Sequence, residues 1–271
     1  MTTKQTVSIL GCGWLGLPLA KFLVKQGFDV KGSTTTPEKI PLLEKENISP
    51  YLLDGKPELT GRNIKDFFQA DILIITLPFK RNFEDPNIYQ QQIDSVIKQC
   101  ELSDRLDFVI FTSSTVVYPQ SITYALEEYP ISPDNMRTKV LLDVERELFY
   151  HPHFDTTILR LAGLYGPGRP IGKFLAGKQN VAGGNHPVNL VHLDDVVGVI
   201  EKVIRQDVRG EILNVCADGH PSRRELYARA AEKMGLTPPT FSDDDSVGKT
   251  VSNHKLKARL GYQFKYPDPA V

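Results

Sequence analysis

The amino-acid sequence predicts an α/β protein built on a doubly wound parallel sheet with a small C-terminal lobe. Three observations support this prediction. Short β-branched and apolar runs alternate with segments of helical spacing as far as Leu161, which is typical of strands joined by crossover helices. A Gly-x-Gly-x-x-Gly pattern at residues 11–16 separates the first run from the first helical segment. After Gly163 the chain becomes rich in glycine and proline and loses its periodicity, which indicates the second lobe.

The individual elements follow from composition and spacing. Residues 71–78 are apolar on both faces, as expected for a central parallel strand. Ser222 and Glu225 form a capping box that begins a late helix. Strands are predicted at residues 6–10, 27–32, 50–54, 71–78, 108–114, 156–161, 189–195 (with an N-cap) and 211–215. Helices are predicted at residues 15–23, 37–46, 64–69, 87–100, 139–150 and 196–203, and from Ser222 onwards.

Composition excludes several classes of function. The 271 residues include 32 basic and 33 acidic side chains, giving a formal net charge of −1, so no broad charged surface for nucleic acid or a membrane is expected. A small-molecule substrate is the expected partner. Three cysteines without metal spacing favour a reduced, cytoplasmic protein without a metal site. The length suffices for two lobes, predicted as residues 1–162 with 188–216 and residues 163–187 with 217–271.

The glycine pattern predicts a dinucleotide-binding turn. Gly11 permits the tight turn, Gly13 lets the backbone approach a pyrophosphate, and Gly16 lets helix and strand pack closely. Packing, rather than chemistry, is predicted for the side chains of Cys12 and Trp14. Ligands of such sheets bind beyond the carboxyl ends of the strands. The residues expected to border the cofactor there are Gly11, Gly13, Trp14, Leu15, Gly16, Thr76, Leu77, Ala162, Gly163 and Leu164.

The end of the second strand determines which dinucleotide is expected. Proteins of this fold that bind NAD carry an acidic side chain about 20 residues past the turn, where this chain has Thr34. No carboxylate would repel a 2′-phosphate there, and Ser33, Thr35 and Lys39 offer donors to it. The sequence therefore predicts NADP in preference to NAD. A second interpretation of the same residues is a polar loop and helix cap before Pro37.

Four segments together resemble one family. The glycine turn and residues 112–118, 159–169 and 189–195 occur in the order and spacing of the extended short-chain dehydrogenase/reductases, which include sugar-nucleotide epimerases and dehydratases. The turn sequence and short second lobe resemble its atypical branch of uncharacterised bacterial NAD-dependent epimerase/dehydratase family proteins. The resemblance implies a Rossmann-type fold and a nicotinamide cofactor, with Asp54 at the position that contacts the adenine amine.

The resemblance also implies a catalytic set. In the family a Ser or Thr polarises the substrate oxygen, a Tyr moves its proton, and a Lys four residues later lowers the pKa of the Tyr. Ser114 and Lys139 match the Ser and the Lys, and Lys139 would also hold the nicotinamide ribose. Asn135 stands where the Tyr is expected, and an amide cannot exchange a proton near neutral pH. Tyr165 and Arg169 are the implied substrate contacts.

Asn135 leaves three interpretations of the function. The protein could be an oxidoreductase or epimerase acting on a small carbonyl or sugar-type substrate. Tyr118, or else Tyr124 or Tyr165, would then move the proton with help from Lys139. It could instead bind NADP without turnover, as a sensor or regulatory protein. In the third interpretation Asn135 binds a substrate carbonyl in a reaction that needs no strong base.

Two further expectations concern helices. Family members often form homodimers through paired helices, here residues 87–100 and 139–150. His192 lies beside Asp194, which is predicted to be a helix N-cap, and is interpreted as a packing residue at the helix start.

Overall fold

A computed structural model describes residues 4–79, 85–244, 246 and 248–270. The strands of the main sheet are β1 (Thr6–Leu10), β2 (Asp29–Thr34), β3 (Ser49–Gly55), β4 (Leu59–Gly61), β5 (Ile72–Ile75), β6 (Phe108–Ser114), β8 (Asp155–Leu161) and β11 (Ile212–Val215). Two small sheets contain β7 (Tyr124–Ala125), β9 (Gly163–Tyr165), β10 (Leu190–His192) and β12 (Thr250–Val251). The helices are α1 (Gly16–Lys25), α2 (Ile40–Lys45), α3 (Ile64–Phe68), α4 (Asn87–Glu101), α5 (Met136–Phe149), α6 (Leu193–Arg205), α7 (Arg223–Lys233) and α8 (His254–Leu260).

The main sheet has the strand order β11-β8-β6-β5-β1-β2-β3-β4. β1 pairs in parallel with β2 on one side and with β5 on the other, while β4 is antiparallel to β3. The chain therefore winds outward from β1 in both directions, and the point where it reverses lies between β1 and β5. This topology confirms the predicted fold class.

Contacts divide the chain into two compact units. Unit 1 comprises residues 1–113, 133–159 and 207–211, and unit 2 comprises residues 114–132, 160–206 and 212–271. In unit 1 the central strands β1 and β5 are buried along their whole length, because helices must cover both faces of a parallel sheet. The long apolar runs that predicted central strands thus form the centre of its core.

Unit 2 contains the parallel strand pairs β9–β10 and β7–β12. The most amphipathic of its helices, α6, buries Val196, Val199, Ile200 and Val203 on one face. A satellite core of Ile171, Val188, Leu190 and Leu226 packs with α7 and the loop after β9. The glycine- and proline-rich part of the sequence therefore packs around regular elements, although it shows no periodicity of its own.

Two boundary predictions are corrected by the structure. The N-cap of α6 is His192, whose Nδ1 accepts a hydrogen bond of 3.2 Å from the amide of Asp194, so the Asp194 cap is wrong. His192 has the extended backbone of an N-cap residue, and its ring nitrogen takes the place of the usual capping oxygen. The helix predicted from residue 139 begins earlier, at Met136, because Asn135 caps it. The predicted cap of α7 is confirmed, since Ser222 Oγ accepts from the Glu225 amide at 3.2 Å.

Candidate functional site

The glycine turn in unit 1 is held by neighbours on both sides of β1. Gly11 has a φ of +106°, which favours glycine. Its amide donates to Ser33 Oγ at 2.9 Å, and its carbonyl accepts from Thr76 Oγ1 at 2.7 Å. The next amide, that of Cys12, donates to the Ser33 carbonyl at 2.7 Å. The turn is therefore fixed from β2 and from the residue that follows β5.

The other two glycines differ in what surrounds them. A Cβ built on Gly16 would lie 2.1 Å from the Gly11 carbonyl oxygen, so the packing of the turn on α1 itself requires glycine. A Cβ built on Gly13 would meet nothing within 4 Å. Packing inside the described protein therefore does not explain Gly13, whereas the close approach of a ligand does.

The N-terminus of α1 suits an anion. Its N-cap, Leu15, makes no side-chain capping hydrogen bond, and the first turn contains no acidic residue. The first amides of a helix lack intrahelical partners, and the helix dipole places partial positive charge beside them. This end of α1 can therefore receive the pyrophosphate of a dinucleotide.

Cys12 is a packing residue, as predicted. Its side chain is buried, and a Cβ on Gly32 of β2 would lie 2.7 Å from its Sγ. Burial raises the pKa of the Cys12 thiol to about 12, against the opposing charge of Lys39. The charge of Lys39, which follows β2, thus acts on a residue of the glycine turn, although the two residues are far apart in the sequence.

The hydroxyl residues at the end of β2 have different surroundings. Ser33 and Thr34 are buried, and Thr35 is exposed. Ser33 holds the Gly11 amide, and Thr34 Oγ1 accepts from the Thr36 amide at 3.1 Å. Thr34 thus stabilises a local polar loop before Pro37, as the second interpretation of this sequence proposes. Thr35 is accessible to a ligand.

The loop after β5 is bound to the helices that follow it. Tyr89 of α4 donates from its hydroxyl to the Leu77 carbonyl at 3.1 Å, and its ring stacks on Phe79 with 4.5 Å between centroids. Arg137 of α5 lies 3.9 Å above the Phe79 ring and donates to the Phe79 carbonyl. Sequence reasoning missed Arg137; its place one residue after the start of a helix gave no signal of this contact.

Asp54, the predicted adenine contact, lies on β3 opposite Thr60 of β4. Its carboxylate is 3.4 Å from the ammonium of Lys56, and both side chains are largely exposed. An exposed pair of this kind contributes little to stability. The carboxylate therefore remains accessible, and the adenine contact stays a prediction.

The start of α5 carries two of the residues that the family resemblance singled out. Asn135 Oδ1 accepts from the Thr138 amide at 2.9 Å, and its Nδ2 donates to Asp134 at 2.6 Å. Lys139 is exposed, and its ammonium is 2.6 Å from Asp143 one turn later. Asn135 is thus a helix cap, and the charge of Lys139 is balanced on its own helix.

The other members of the predicted catalytic set lie in unit 2. Ser114 is half-buried, and its Oγ accepts from the Val116 amide at 3.3 Å. Tyr118 is fully buried; its hydroxyl donates to Asn214 Oδ1 at 2.8 Å and accepts from Arg160 at 2.9 Å. Burial raises the pKa of Tyr118, against the opposing charge of Arg160. Its proton is committed to Asn214, so these surroundings do not support a role for Tyr118 in proton transfer.

The remaining predicted contacts surround β9. Ala162 is buried and donates from its amide to Val215, and the Gly163 amide donates to Asn189, both at 3.0 Å. Leu164 and Tyr165 are half-buried. Burial, reinforced by the charge of Asp195, raises the pKa of Tyr165 to about 12, the opposite of what a general base requires.

Arg169 is exposed and ends a turn in which its amide and carbonyl both pair with Gly166. His192 packs between two tyrosine rings, Tyr165 at 5.0 Å and Tyr266 at 3.7 Å between centroids, as its interpretation as a packing residue implies. Tyr124, the remaining alternative for proton transfer, is more than half exposed on β7.

A structural residue that sequence reasoning missed is Asp195 in α6. Its carboxylate is fully buried and accepts from the Tyr262 hydroxyl at 3.1 Å, the Lys265 amide at 2.7 Å and the Tyr266 amide at 3.1 Å. It therefore anchors the C-terminal segment to α6. A signal was present, because Asp195 lies one helical turn before Val199 and so on the buried face.

A pocket of about 470 Å³ opens on unit 2, and its lining includes Tyr124, one of the predicted alternatives for proton transfer. Its polar lining includes the Asp218–Lys257 ion pair at 3.0 Å, with Asn253 donating to the same carboxylate oxygen at 2.8 Å. These groups satisfy one another. In the described part of the chain no cluster of three or more metal-ligating side chains occurs. No helix there has the length and apolarity to cross a membrane.

Comparisons with known proteins show which proteins share this fold. No protein-family model matches the chain. Its fold is that of the epimerases and other short-chain dehydrogenase/reductases, as two solved structures show. A short-chain dehydrogenase/reductase superfamily protein from Agrobacterium tumefaciens with bound NAD aligns over 96% of this chain and 92% of its own, at 16% identity and a TM-score of 0.77. UDP-glucuronic acid 4-epimerase from Bacillus cereus, in complex with NAD, aligns over 96% and 94%, at 16% identity and a TM-score of 0.78.

A much nearer relative defines the family. Protein YeeZ of Escherichia coli strain K12 is 39% identical over 271 residues, which covers 98% of both chains. The chain belongs to the YeeZ family. A functionally unknown conserved protein from Silicibacter pomeroyi has the same fold, with a TM-score of 0.76 at 24% identity over 98% of this chain and 96% of its own.

Proposed function

We propose that this protein binds a nicotinamide dinucleotide at the turn formed by residues 11–16, with NADP preferred over NAD. The observation that carries the proposal is the contrast between two glycines. Gly16 is required by contacts within the protein, whereas no described residue lies within 4 Å of a Cβ built on Gly13, beside the uncapped end of α1. Backbone amides there would hold the pyrophosphate. When bound, the nicotinamide ring supplies a carrier for hydride.

The preference for NADP is supported by charge at the end of β2. NAD-binding proteins carry an acidic side chain about 20 residues past the turn. At that position, the end of β2 has hydroxyl side chains instead. Thr35 is exposed there, and Lys39 is close enough to act electrostatically on Cys12. A cation and a hydroxyl donor, with no acidic side chain at the end of β2 itself, favour a 2′-phosphate.

The proposal extends to the class of substrate. A small carbonyl compound or a sugar-type molecule would be the substrate of an oxidoreductase or epimerase with altered proton transfer. Solved neighbours include a UDP-glucuronic acid 4-epimerase, which supports this choice by analogy of fold only. Ser114, Tyr165 and Arg169 are the residues we assign to such a substrate.

A second candidate is an NADP-binding sensor or regulatory protein that turns over no substrate. The start of α5 favours it, because Asn135 acts as a helix cap and Lys139 is paired with Asp143. The tyrosines Tyr118 and Tyr165 have raised pKa values. Two assays separate the candidates. Oxidation of NADPH with a panel of carbonyl compounds detects an oxidoreductase, and product analysis of nucleotide sugars detects an epimerase, which returns the hydride to its substrate and oxidises no net NADPH. Turnover in either assay requires the enzyme, and its absence from both favours the sensor.

Fluorescence titration with NADPH and with NADH tests the proposed cofactor. We expect tighter binding of NADPH by about tenfold, the value of one charge-assisted hydrogen bond. Gly13→Ala should weaken the binding of both nucleotides at least tenfold without lowering the melting temperature, because its Cβ meets nothing among the residues that the structure describes. Wild-type protein that binds neither nucleotide, or binds NADH more tightly, would overturn the corresponding part of the proposal.

Lys39→Ala tests the basis of the preference. It should weaken NADPH binding about tenfold and leave NADH binding unchanged, since only NADPH carries the 2′-phosphate. Lys45→Ala, which removes a lysine from the far end of α2, is the matched control and should change neither affinity. Equal losses for NADPH and NADH in Lys39→Ala would show that Lys39 does not read the 2′ position.

We also propose a homodimer formed through α4 and α5. Their C-terminal ends lie together, with His151 Nε2 3.3 Å from Glu101. Two large apolar side chains, Leu102 and Tyr150, are 66% and 75% exposed beside that contact, and a partner subunit would cover them. Light scattering should give twice the mass of the chain, and a monomeric mass at micromolar concentration would exclude the dimer.

A further inference from the structure

Two hydroxyl side chains hold the two peptide groups that flank the Cα atom of Gly11. The amide of the Leu10–Gly11 peptide donates to Ser33 Oγ at 2.9 Å, and the carbonyl of the Gly11–Cys12 peptide accepts from Thr76 Oγ1 at 2.7 Å. Ser33 is on β2 and Thr76 directly follows β5, the two strands that pair with β1. We name this pair, Ser33 and Thr76, the Gly11 clamp.

The two bonds of the clamp act on the two soft torsions of one residue. Peptide groups are planar, so φ and ψ of Gly11 set the relative orientation of the two groups that the clamp holds. Glycine visits positive and negative φ with similar ease when nothing restrains it. Restraining one residue to a single conformation costs about 1–2 kcal/mol of conformational entropy. A turn without the clamp would have to pay this cost when a ligand binds.

The position of Thr76 links the clamp to the helix that follows. Its Oγ1 also lies 3.2 Å from the Leu10 carbonyl and would be 3.0 Å from a Cβ on Gly16. The Thr76 hydroxyl therefore lies against both the Gly11 carbonyl and the start of α1. Ser33 is 3% exposed and Thr76 is half-buried, so the bonds are shielded from competing water.

We infer that Ser33 and Thr76 are positioning residues, which hold the glycine turn in its binding conformation before any dinucleotide arrives. Their hydroxyls act through the Gly11 backbone, whereas the sequence predicted both residues as direct cofactor contacts. The inference rests on the proposed binding of a nicotinamide dinucleotide at this turn. Its physical content is preorganisation: the ligand gains affinity because the protein has already ordered the groups that receive it.

Thr76→Val tests the clamp, because valine has the same shape and lacks the hydroxyl. We expect NADPH affinity to fall about tenfold, the effect of losing one restraining hydrogen bond of ordinary strength. Thr76→Ser, which keeps the hydroxyl, should restore the affinity to within about twofold. Thr112→Val is the matched control: Thr112 Oγ1 donates at 3.0 Å to the Ile75 carbonyl, one residue before Thr76, and does not contact the turn.

Two readouts separate positioning from general stability. Both valine variants should lower the melting temperature by similar amounts, but only Thr76→Val should weaken NADPH binding. Amide hydrogen exchange of Gly13 in the protein without nucleotide should accelerate in Thr76→Val and in Ser33→Ala, and stay unchanged in Thr112→Val.

The outcomes distinguish this inference from the proposed function. Wild-type protein that binds no NADPH overturns the proposed function. If Thr76→Val and Ser33→Ala bind NADPH as tightly as the wild-type protein does, the clamp alone is overturned. Equal weakening in Thr76→Val and Thr112→Val also overturns it, because the effect would then be one of stability.

Discussion

The glycine turn and the start of α5 are both places where this fold can present polar groups to a cofactor, and they differ in what those groups do. At the turn, side chains from neighbouring strands hold the backbone and leave the Gly13 face and the end of α1 open. At α5, Asn135 caps the helix and Lys139 pairs with Asp143 one turn later on the same helix. Matching a residue to a family position therefore predicts function only where its hydrogen bonds leave it free to act.

The largest effect is expected for Gly16→Ala, which tests the packing side of the turn. The new Cβ would lie 2.1 Å from the Gly11 carbonyl oxygen, and backbone atoms cannot give way as a flexible side chain can. We expect a loss of about 3 kcal/mol in the free energy of unfolding, at the upper end of overpacking effects. Urea denaturation measures it, with Gly13→Ala as the control. Equal stability of the two alanine variants would contradict the distinction between the two glycines.

The reactivity of Cys12 tests whether the turn binds or reacts. Burial raises the pKa of its thiol to about 12, so near pH 8 the thiolate fraction is about a thousandfold below that of a free cysteine. The folded protein should therefore be labelled very slowly by iodoacetamide at this position, and unfolding in urea should remove the protection. Mass spectrometry of peptides identifies the site. Rapid labelling of folded protein at Cys12 would assign it chemistry instead of packing.

Asn135→Ala tests the helix-capping role at α5. Loss of the bond from Oδ1 to the Thr138 amide should cost about 1 kcal/mol in the free energy of unfolding. Asn135→Ser, which retains a capping oxygen, should preserve most of the stability. NADPH affinity should stay within about twofold of wild type in both variants, on the same scale. A tenfold loss of affinity in Asn135→Ala without a loss of stability would mean that Asn135 binds a ligand.

The smallest effect is expected for the ion pair between Lys139 and Asp143. The pair is largely exposed and separated by one helical turn, so Lys139→Met and Asp143→Asn should each change the free energy of unfolding by less than about 0.5 kcal/mol. Fluorescence titration then compares their NADPH affinities, which should match that of wild type. A tenfold loss confined to Lys139→Met would show that Lys139 leaves Asp143 for the cofactor, as in the family, and the contrast between turn and helix would be lost.

Much of the fold could be predicted because its signals are local. The continuous apolar runs of β5 and β6 and the glycine pattern after β1 identify a parallel sheet and its first turn without any long-range information. The short strands β4, β7, β9 and β12 were not predicted, since two or three residues carry too little pattern to separate a strand from a loop. Their pairing partners lie far away in the sequence or across a turn.

Less of the candidate site could be predicted. Residue types marked Tyr118 as a candidate for proton transfer, but its burial and its bonds to Arg160 and Asn214 depend on segments far apart in the chain. The sequence shows that Asn135 stands where the family has a tyrosine, and only the structure shows that it caps α5. Similarly, hydroxyls at the end of β2 suggested cofactor contacts, whereas Ser33 holds the Gly11 backbone.

The sequence by itself determined the sheet, the glycine turn and the absence of a tyrosine four residues before Lys139, because each depends on residues that are neighbours in the chain. Tertiary structure decided which polar groups are available. A hydroxyl, an amide or an ammonium acts on a ligand through the hydrogen-bonding capacity that its neighbours in space leave unused. Ser33, Tyr118 and Lys139 each have such neighbours, contributed respectively by the glycine turn, a buried network in unit 2 and the next turn of α5.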